Sequence, residues 1–217
     1  DYDWSRARNV AATYLLKGEQ VEALTALPDA ETKWVVVCSR RGWVRALSWA
    51  GYEQASLAAQ PIYTPKESDT PVWIGAGDAS DLLLVTLQGR WLRLPLSAID
   101  TLGSTALKLD PNDEVIGATF VNERQPIYVL GGDGAMVAAM PDAFEPHKKI
   151  GGKPAPLPNK IRPIACFSAS RTSSLMTLSR DGEIGMLPLM RVPLTTKLSD
   201  APLFNLITRR LLAHAIY

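Results

Sequence analysis

The chain has 217 residues, 47% hydrophobic and 21% charged, so it can bury a real core as one large domain or two small ones. Lys and Arg number 23 against 22 Asp and Glu, a net charge of +1, which excludes a globally basic nucleic-acid binder but leaves room for a segregated basic face. The longest uncharged stretch, Gln54 to Pro65, is too short and too polar to span a bilayer, so no transmembrane helix is expected.

The chain opens on Asp1-Tyr2-Asp3, with no basic start and no apolar run. No signal peptide is expected, and the missing initiator Met suggests a fragment or a processed chain. Gly18-Glu19-Gln20-Val21 then leads into a short apolar run, Glu22-Ala23-Leu24. From Trp34 to Trp49 the sequence reads as strand, glycine turn and strand. The same unit returns at Leu82 to Ile99, Ile127 to Phe144 and Leu175 to Met190. The anchoring glycines are Gly42, Gly89, Gly134 and Gly182, at steps of 47, 45 and 48 residues. Val, Ile, Leu, Tyr and Trp runs favour extended, half-buried strands. Asp133-Gly134 and Asp181-Gly182 predict type I′ turns.

Each hairpin has a leader. Asn112-Asp113-Glu114-Val115 repeats the first leader two periods later and runs into Ile116-Gly117-Ala118. Thr70 to Ile74 and Ile161 to Ile164 hold the same place in the other copies. The connectors Gln60 to Val72 and Pro146 to Asn159 contain Pro and read as surface loops between units, not as domain boundaries. Helical periodicity is nearly absent. Leu203 to Tyr217 suits a short helix by composition or the leading strand of one more copy. An all-β repeat of about 45–50 residues predicts radial blades, because joining hairpins in a ring protects most of their edges. The pieces before Gly18 and after Lys197 look like the tail and head of a repeat that together supply a fifth blade. A β-sandwich with coincidental spacing is the alternative.

Cys38 and Cys166 sit in apolar runs without CxxC spacing, and the chain has only two histidines. Both cysteines read as buried, free thiols in a reducing compartment, and no zinc site is expected.

The near-neutral charge conceals segregation. Pro146 to Arg180 holds Lys148, Lys149, Lys153, Lys160, Arg162, Arg171 and Arg180 with no acid. Lys33 to Tyr52 holds Lys33, Arg40, Arg41 and Arg45, again with no acid, and Leu82 to Ile99 adds Arg90 and Arg93. Acids gather in leaders and linkers, including Glu19, Glu22, Asp29, Glu31, Asp110, Asp113, Glu114 and Glu123. On a ring of repeats such basic segments can form a continuous rim suited to a duplex backbone.

The repeat resembles the blade of the C-terminal domain of bacterial type II topoisomerase A subunits, those of DNA gyrase and of topoisomerase IV. Leu82 to Ile99 is the nearest copy, and the leaders at Gly18 and Asn112 also match. The resemblance implies a β-pinwheel, a propeller-like ring of four to five hairpin-swapped blades over residues 1–217, which bends DNA around a basic perimeter. The family's basic pair after the turn glycine survives only as Arg45 in the first repeat and Arg93 in the second; Val137-Ala138 and Gly185-Met186 keep neither. The gyrase signature box, a Gln-basic-basic-Gly-Gly-basic-Gly heptapeptide, is absent. Ser5-Arg6-Ala7-Arg8-Asn9 lies where a box has room, and His147-Lys148-Lys149-Ile150-Gly151-Gly152-Lys153 is a looser echo. The sequence thus looks more like topoisomerase IV, or a divergent paralogue, than gyrase.

No catalytic constellation emerges. His147 and His214 read as structural, and the serines of Ser168-Ala169-Ser170 and Ser173-Ser174 lack a nucleophile elbow. Gly131-Gly132-Asp133-Gly134 lacks the Lys-Ser/Thr ending of a phosphate loop and reads as a turn. Asp110, Asp113 and Glu114 read as solvated acids, and Trp43, Trp49 and Trp91 as blade core. The expectation is a non-catalytic DNA-binding and DNA-bending domain, without cofactor or metal, using Arg40, Arg41, Arg45, Arg90, Arg93, Lys148, Lys149 and Lys153. The resemblance implies as partners double-stranded DNA, the B subunit of the holoenzyme, and the remainder of its own A-type chain, in a bacterial cytoplasm near the nucleoid. A propeller that scaffolds proteins and has lost DNA binding is the alternative.

Overall fold

The computed structural model describes residues 20–25, 32–64, 69–179 and 181–206, and the backbone of 211–216. The first repeat contributes β1 (Trp34–Ser39), β2 (Trp43–Ser48) and helix α1 (Trp49–Leu57). The second adds β3 (Pro71–Gly77), β4 (Asp81–Thr86), β5 (Arg90–Pro95) and the two-residue β6 (Ser104–Thr105). The third holds β7 (Val115–Val121), β8 (Ile127–Gly131), β9 (Ala135–Ala139) and β10 (Ala155–Pro156). The fourth holds β11 (Pro163–Ser168), β12 (Ser174–Ser179), β13 (Ile184–Pro188), β14 (Leu194–Thr195) and β15 (Phe204–Asn205). β16 (Leu211–Ile216) starts a further period, so the C-terminal stretch is a leading strand and not a helix. No helix among the described residues is long and apolar enough to cross a membrane.

Two local expectations need correction. Glu22-Ala23-Leu24 is irregular backbone rather than strand. Helix α1 follows β2 although no helical periodicity marks it. None of its residues is buried, so there is no apolar stripe to read, and its start is fixed by the Ser48 hydroxyl, which accepts the Gly51 N–H at 3.1 Å. The pieces expected to join as a fifth blade include residues 1–19, which lie outside the described residues.

The four anchoring glycines occupy equivalent turns. Each N–H donates to the carbonyl three residues earlier, as Gly42 does to Ser39 and Gly89 to Thr86. Each glycine has φ between +73° and +86°, the left-handed region that favours glycine. Asp133 does not share that conformation, so its turn is not type I′. In the first three units they are three-residue loops in which glycine alone is left-handed, a type I turn closed by a bulge. Ser39, Thr86 and Ser179 precede three of the loops, and each hydroxyl accepts the N–H just beyond the glycine.

Every hairpin belongs to a sheet completed by the following repeat. The orders are β3-β1-β2-β6, β10-β5-β4-β7 and β11-β8-β9-β14, with β15 also on β9, and finally β13-β12-β16. A leader therefore pairs with the hairpin before it, not with its own, and the next connector covers the hairpin's outer strand. This is the hairpin swap that the resemblance implies.

The inner strands explain why the sequence runs apolar without alternation. Side chains of a strand point to opposite faces in turn. Leu82 and Leu84 pack towards the first blade with Val36, Cys38 and Val44, while Leu83 and Val85 pack towards the third with Ile127, Val129 and Cys166. Tyr128 and Leu130 face the fourth blade with Leu175, Leu187 and Leu189. The inner strands β1, β4 and β8 are thus buried on both faces, whereas β12 leaves Leu178 exposed. Cys38 and Cys166 are free thiols in two different cores.

Candidate nucleic-acid interface

Exposed basic residues stand at the turns of the first two hairpins, while others, such as Lys33, Arg124, Arg191 and Lys197, lie away from the turns. Arg40 and Arg41 are the two central residues of the first turn, and both are exposed. Their backbone is held by Asp69, just before β3: one carboxylate oxygen accepts the Ser39 hydroxyl at 2.7 Å, the other the Arg41 N–H at 2.9 Å. Asp113 repeats the device in the second blade, accepting the Thr86 hydroxyl at 2.8 Å and the Gln88 N–H at 3.0 Å. It is 1% exposed. Asp113 is therefore a buried latch, Asp110 pairs with Arg90 at 2.8 Å, and Glu114 lies 3.7 Å from Arg40, so these acids are not simply solvated. The pairs of Arg40 and Arg90 are at least a quarter exposed and weak enough to yield to a phosphate.

Lys148, Lys149 and Lys153 are exposed on the loop that precedes β10. The loop is pinned from within. Ile150 packs on the core shared by the first two blades, Gly151 N–H donates to Ala106 O at 2.8 Å, and Ala106 N–H donates to Gly42 O at 2.8 Å. The three lysines thus stand on a loop that is two hydrogen bonds from the first turn. Leu157 N–H reaches Gly89 O at 2.7 Å, bringing the end of this connector to the second turn. There Gln88, Gly89, Arg90, Lys160 and Arg162 line a cleft of about 590 Å³. Lys160 and Arg162 are exposed. They belong to the acid-free run but were not among the expected contacts, because only the fold carries the fourth leader to the second turn.

Two expected contacts are elsewhere. Arg93 is 6% exposed, donates to Asp81 at 2.6 Å and reaches the carbonyls of Pro141 and Phe144. Its charge is consumed inside the molecule, so it does not stand on a rim. Arg45 is half-buried and donates to Thr101 O at 2.6 Å and Ile62 O at 3.1 Å, fastening two connectors to β2. Turn three presents Gly132 and Asp133 and no base. Trp91 is core, edge-on to Phe144 at 5.0 Å, whereas Trp43 and Trp49 are half-buried against Tyr63 and Tyr52. Among the described residues no group of three His, Cys, Asp or Glu is placed to hold a metal.

No protein-family model and no curated protein matches the sequence. Solved structures do match in fold. A crystal structure of the C-terminal domain of DNA topoisomerase IV superposes with a TM-score of 0.71 at 15% identity over 87% of this chain. The chain spans 62% of that domain's length. A DNA gyrase A C-terminal domain gives 0.78 at 10% identity, covering 98% of this chain and 75% of that one. The fold is a β-pinwheel. The E. coli ParC C-terminal domain also matches, at 0.58 and 15% identity over 85% of this pinwheel and 81% of its own chain.

Proposed function

We propose that residues 1–217 form one non-catalytic pinwheel domain of a type II topoisomerase, carried on its A-type chain, that binds duplex DNA on its turn-end rim and bends it. The observation that carries this reading is the placement of exposed Arg40, Arg41, Lys148, Lys149 and Lys153 around the first turn, continued by Arg90, Lys160 and Arg162 at the second. Contacts of this kind go to phosphates, so binding is sequence-independent and falls steeply with salt, by about 0.9 in log–log slope per neutralised phosphate. Its partners are then the B subunit of the holoenzyme and the remainder of the A-type chain, in the bacterial cytoplasm at the nucleoid. The His147 to Lys153 loop, with Ile150 committed to the core, favours a topoisomerase IV-like role that bends duplex without fixing a full wrap. A gel-shift titration of linear duplex at two salt concentrations tests the reading. Arg40→Glu/Arg41→Glu weakens binding at every sequence and flattens the salt slope by about one to two. Equal binding by parent and variant, or no binding by either at low salt, overturns it. The second outcome favours a protein scaffold, which the base-free third turn also suits.

A further inference from the structure

We propose, on the DNA-binding reading above, that Asp110 and Glu114 are a built-in brake on the rim: carboxylates that hold Arg90 and Arg40 in place of DNA phosphates and keep duplex binding weak and reversible. The repeat itself singles out Glu114. The first N–H of each turn is taken by the carbonyl of one leader residue: Arg40 N–H by Thr70, Leu87 N–H by Glu114 and Gly132 N–H by Arg162. The register agrees, since Ser39, Thr86 and Gly131 pair with Pro71, Val115 and Pro163, each the next residue along. Thr70, Glu114 and Arg162 are therefore one position in three leaders. In the last two the side chain reaches back to the preceding turn. Glu114, whose backbone is bonded to turn two, lies 3.7 Å from Arg40 of turn one. Arg162, bonded to turn three, lines the cleft with Gln88 and Arg90 of turn two. Turn two thus receives a base from the position that gives turn one an acid.

Asp110 does for Arg90, at 2.8 Å, what Glu114 does for Arg40. The two acids flank one turn, closed by Asp113 N–H to Asp110 O at 3.1 Å. This segment is fixed from both sides. The Asp113 carboxylate holds turn two through the Thr86 hydroxyl and the Gln88 N–H, and Val115 N–H donates to Arg40 O at 2.9 Å. When a phosphate approaches, the acid side chains can rotate but their backbone stays at the rim. Both pairs are partly open to solvent, so a polyanion can compete for the arginines. Each displaced carboxylate then remains as a like charge beside the phosphate that replaced it. A rim built this way binds duplex and releases it.

The test titrates the full chain with fluorescent linear duplex, read by anisotropy at two salt concentrations. Asp110→Asn/Glu114→Gln binds about three- to tenfold more tightly at low salt, a gain in scale with two exposed ion pairs. Its log–log salt slope steepens by about one to two, because Arg40 and Arg90 then neutralise phosphates in full. Glu114→Arg, which copies the fourth leader, tightens binding as well. The control Glu53→Gln/Glu123→Gln changes net charge equally at exposed sites on helix α1 and in the β7–β8 connection, at the blade ends away from the turns, and leaves affinity and slope unchanged. All variants keep the parent's melting transition by circular dichroism. Binding by the acid-free variant where the parent shows none supports the brake. Unchanged or weaker binding by that variant, with the parent bound, overturns the brake alone. An equal gain in the control does the same, since net charge then accounts for it. No binding by parent or variant at low salt overturns the DNA reading and the brake together.

Discussion

The Thr86 hydroxyl donates to the buried Asp113 carboxylate, and one repeat later the same two positions are Gly131 and Ile161. A Cβ on Gly131 would meet Ile161 Cγ2 at 3.2 Å. The polar latch has thus been exchanged as a pair for an apolar contact, which avoids leaving either partner stranded.

That pairing predicts a cycle. Asp113→Ala strands the Thr86 hydroxyl and the Gln88 N–H and costs about 2–4 kcal/mol, the penalty for unsatisfied buried polar groups. Thr86→Gly/Asp113→Ile, copying the third blade, costs less than the sum of its single changes. Urea denaturation of the four proteins measures the difference. Additive losses would show that the two positions do not act together.

Arg93 makes the opposite case to a rim residue. Arg93→Leu leaves Asp81 buried without its partner and should cost about 3–5 kcal/mol, while Arg93→Met/Asp81→Leu recovers most of it. Calorimetric melting of the parent and the two variants checks this. If Arg93→Leu melts like the parent, the pair contributes nothing.

The turn glycines are equivalent in backbone but unequal in surroundings. A Cβ at Gly89 collides with the Ile161 carbonyl, whereas one at Gly182 meets nothing within 4 Å. Gly182→Ala therefore costs about 1–2 kcal/mol of left-handed strain, and Gly89→Ala costs more. Equal shifts in the denaturation midpoint would refute the distinction.

Burial pushes the Cys166 thiol up from 9.0 to about 12 and raises Cys38 as well. Raised thiols favour the folded state while neutral, so this contribution is complete below pH 9 and fades as pH climbs from about 9 to 12. Cys166→Ala should flatten the alkaline fall in urea midpoint. Both native thiols should resist a disulfide reagent at about pH 8 and react on unfolding.

The hairpins were legible because Gly42, Gly89, Gly134 and Gly182 punctuate apolar runs at a steady period. Which hairpin Val115 to Val121 would join was not, since β strands choose partners through space, and these pair backwards with β4. Arg40, Arg41 and the lysine loop stand in solvent. Arg93 deceived because its partner lies 12 residues upstream on the facing strand, where only the register Leu83↔Arg93 brings Asp81 within reach. The Asp69 and Asp113 latches were missed because their hydroxyl partners, Ser39 and Thr86, sit about 30 residues away.

Because each hairpin takes its leader and cover from the repeat behind it, the unit of sequence and the unit of space are out of phase by half a period. Excision of one whole sequence repeat removes one sheet by giving the hairpin before it the leader and connector of the repeat after it. Growth or loss of blades by recombination keeps every sheet whole only when the crossover points fall at equivalent positions in two repeats, so that a hairpin from one inherits the leader and connector of another. Lengthening such a molecule is a matter of splicing phase, with any crossover out of register leaving a blade open.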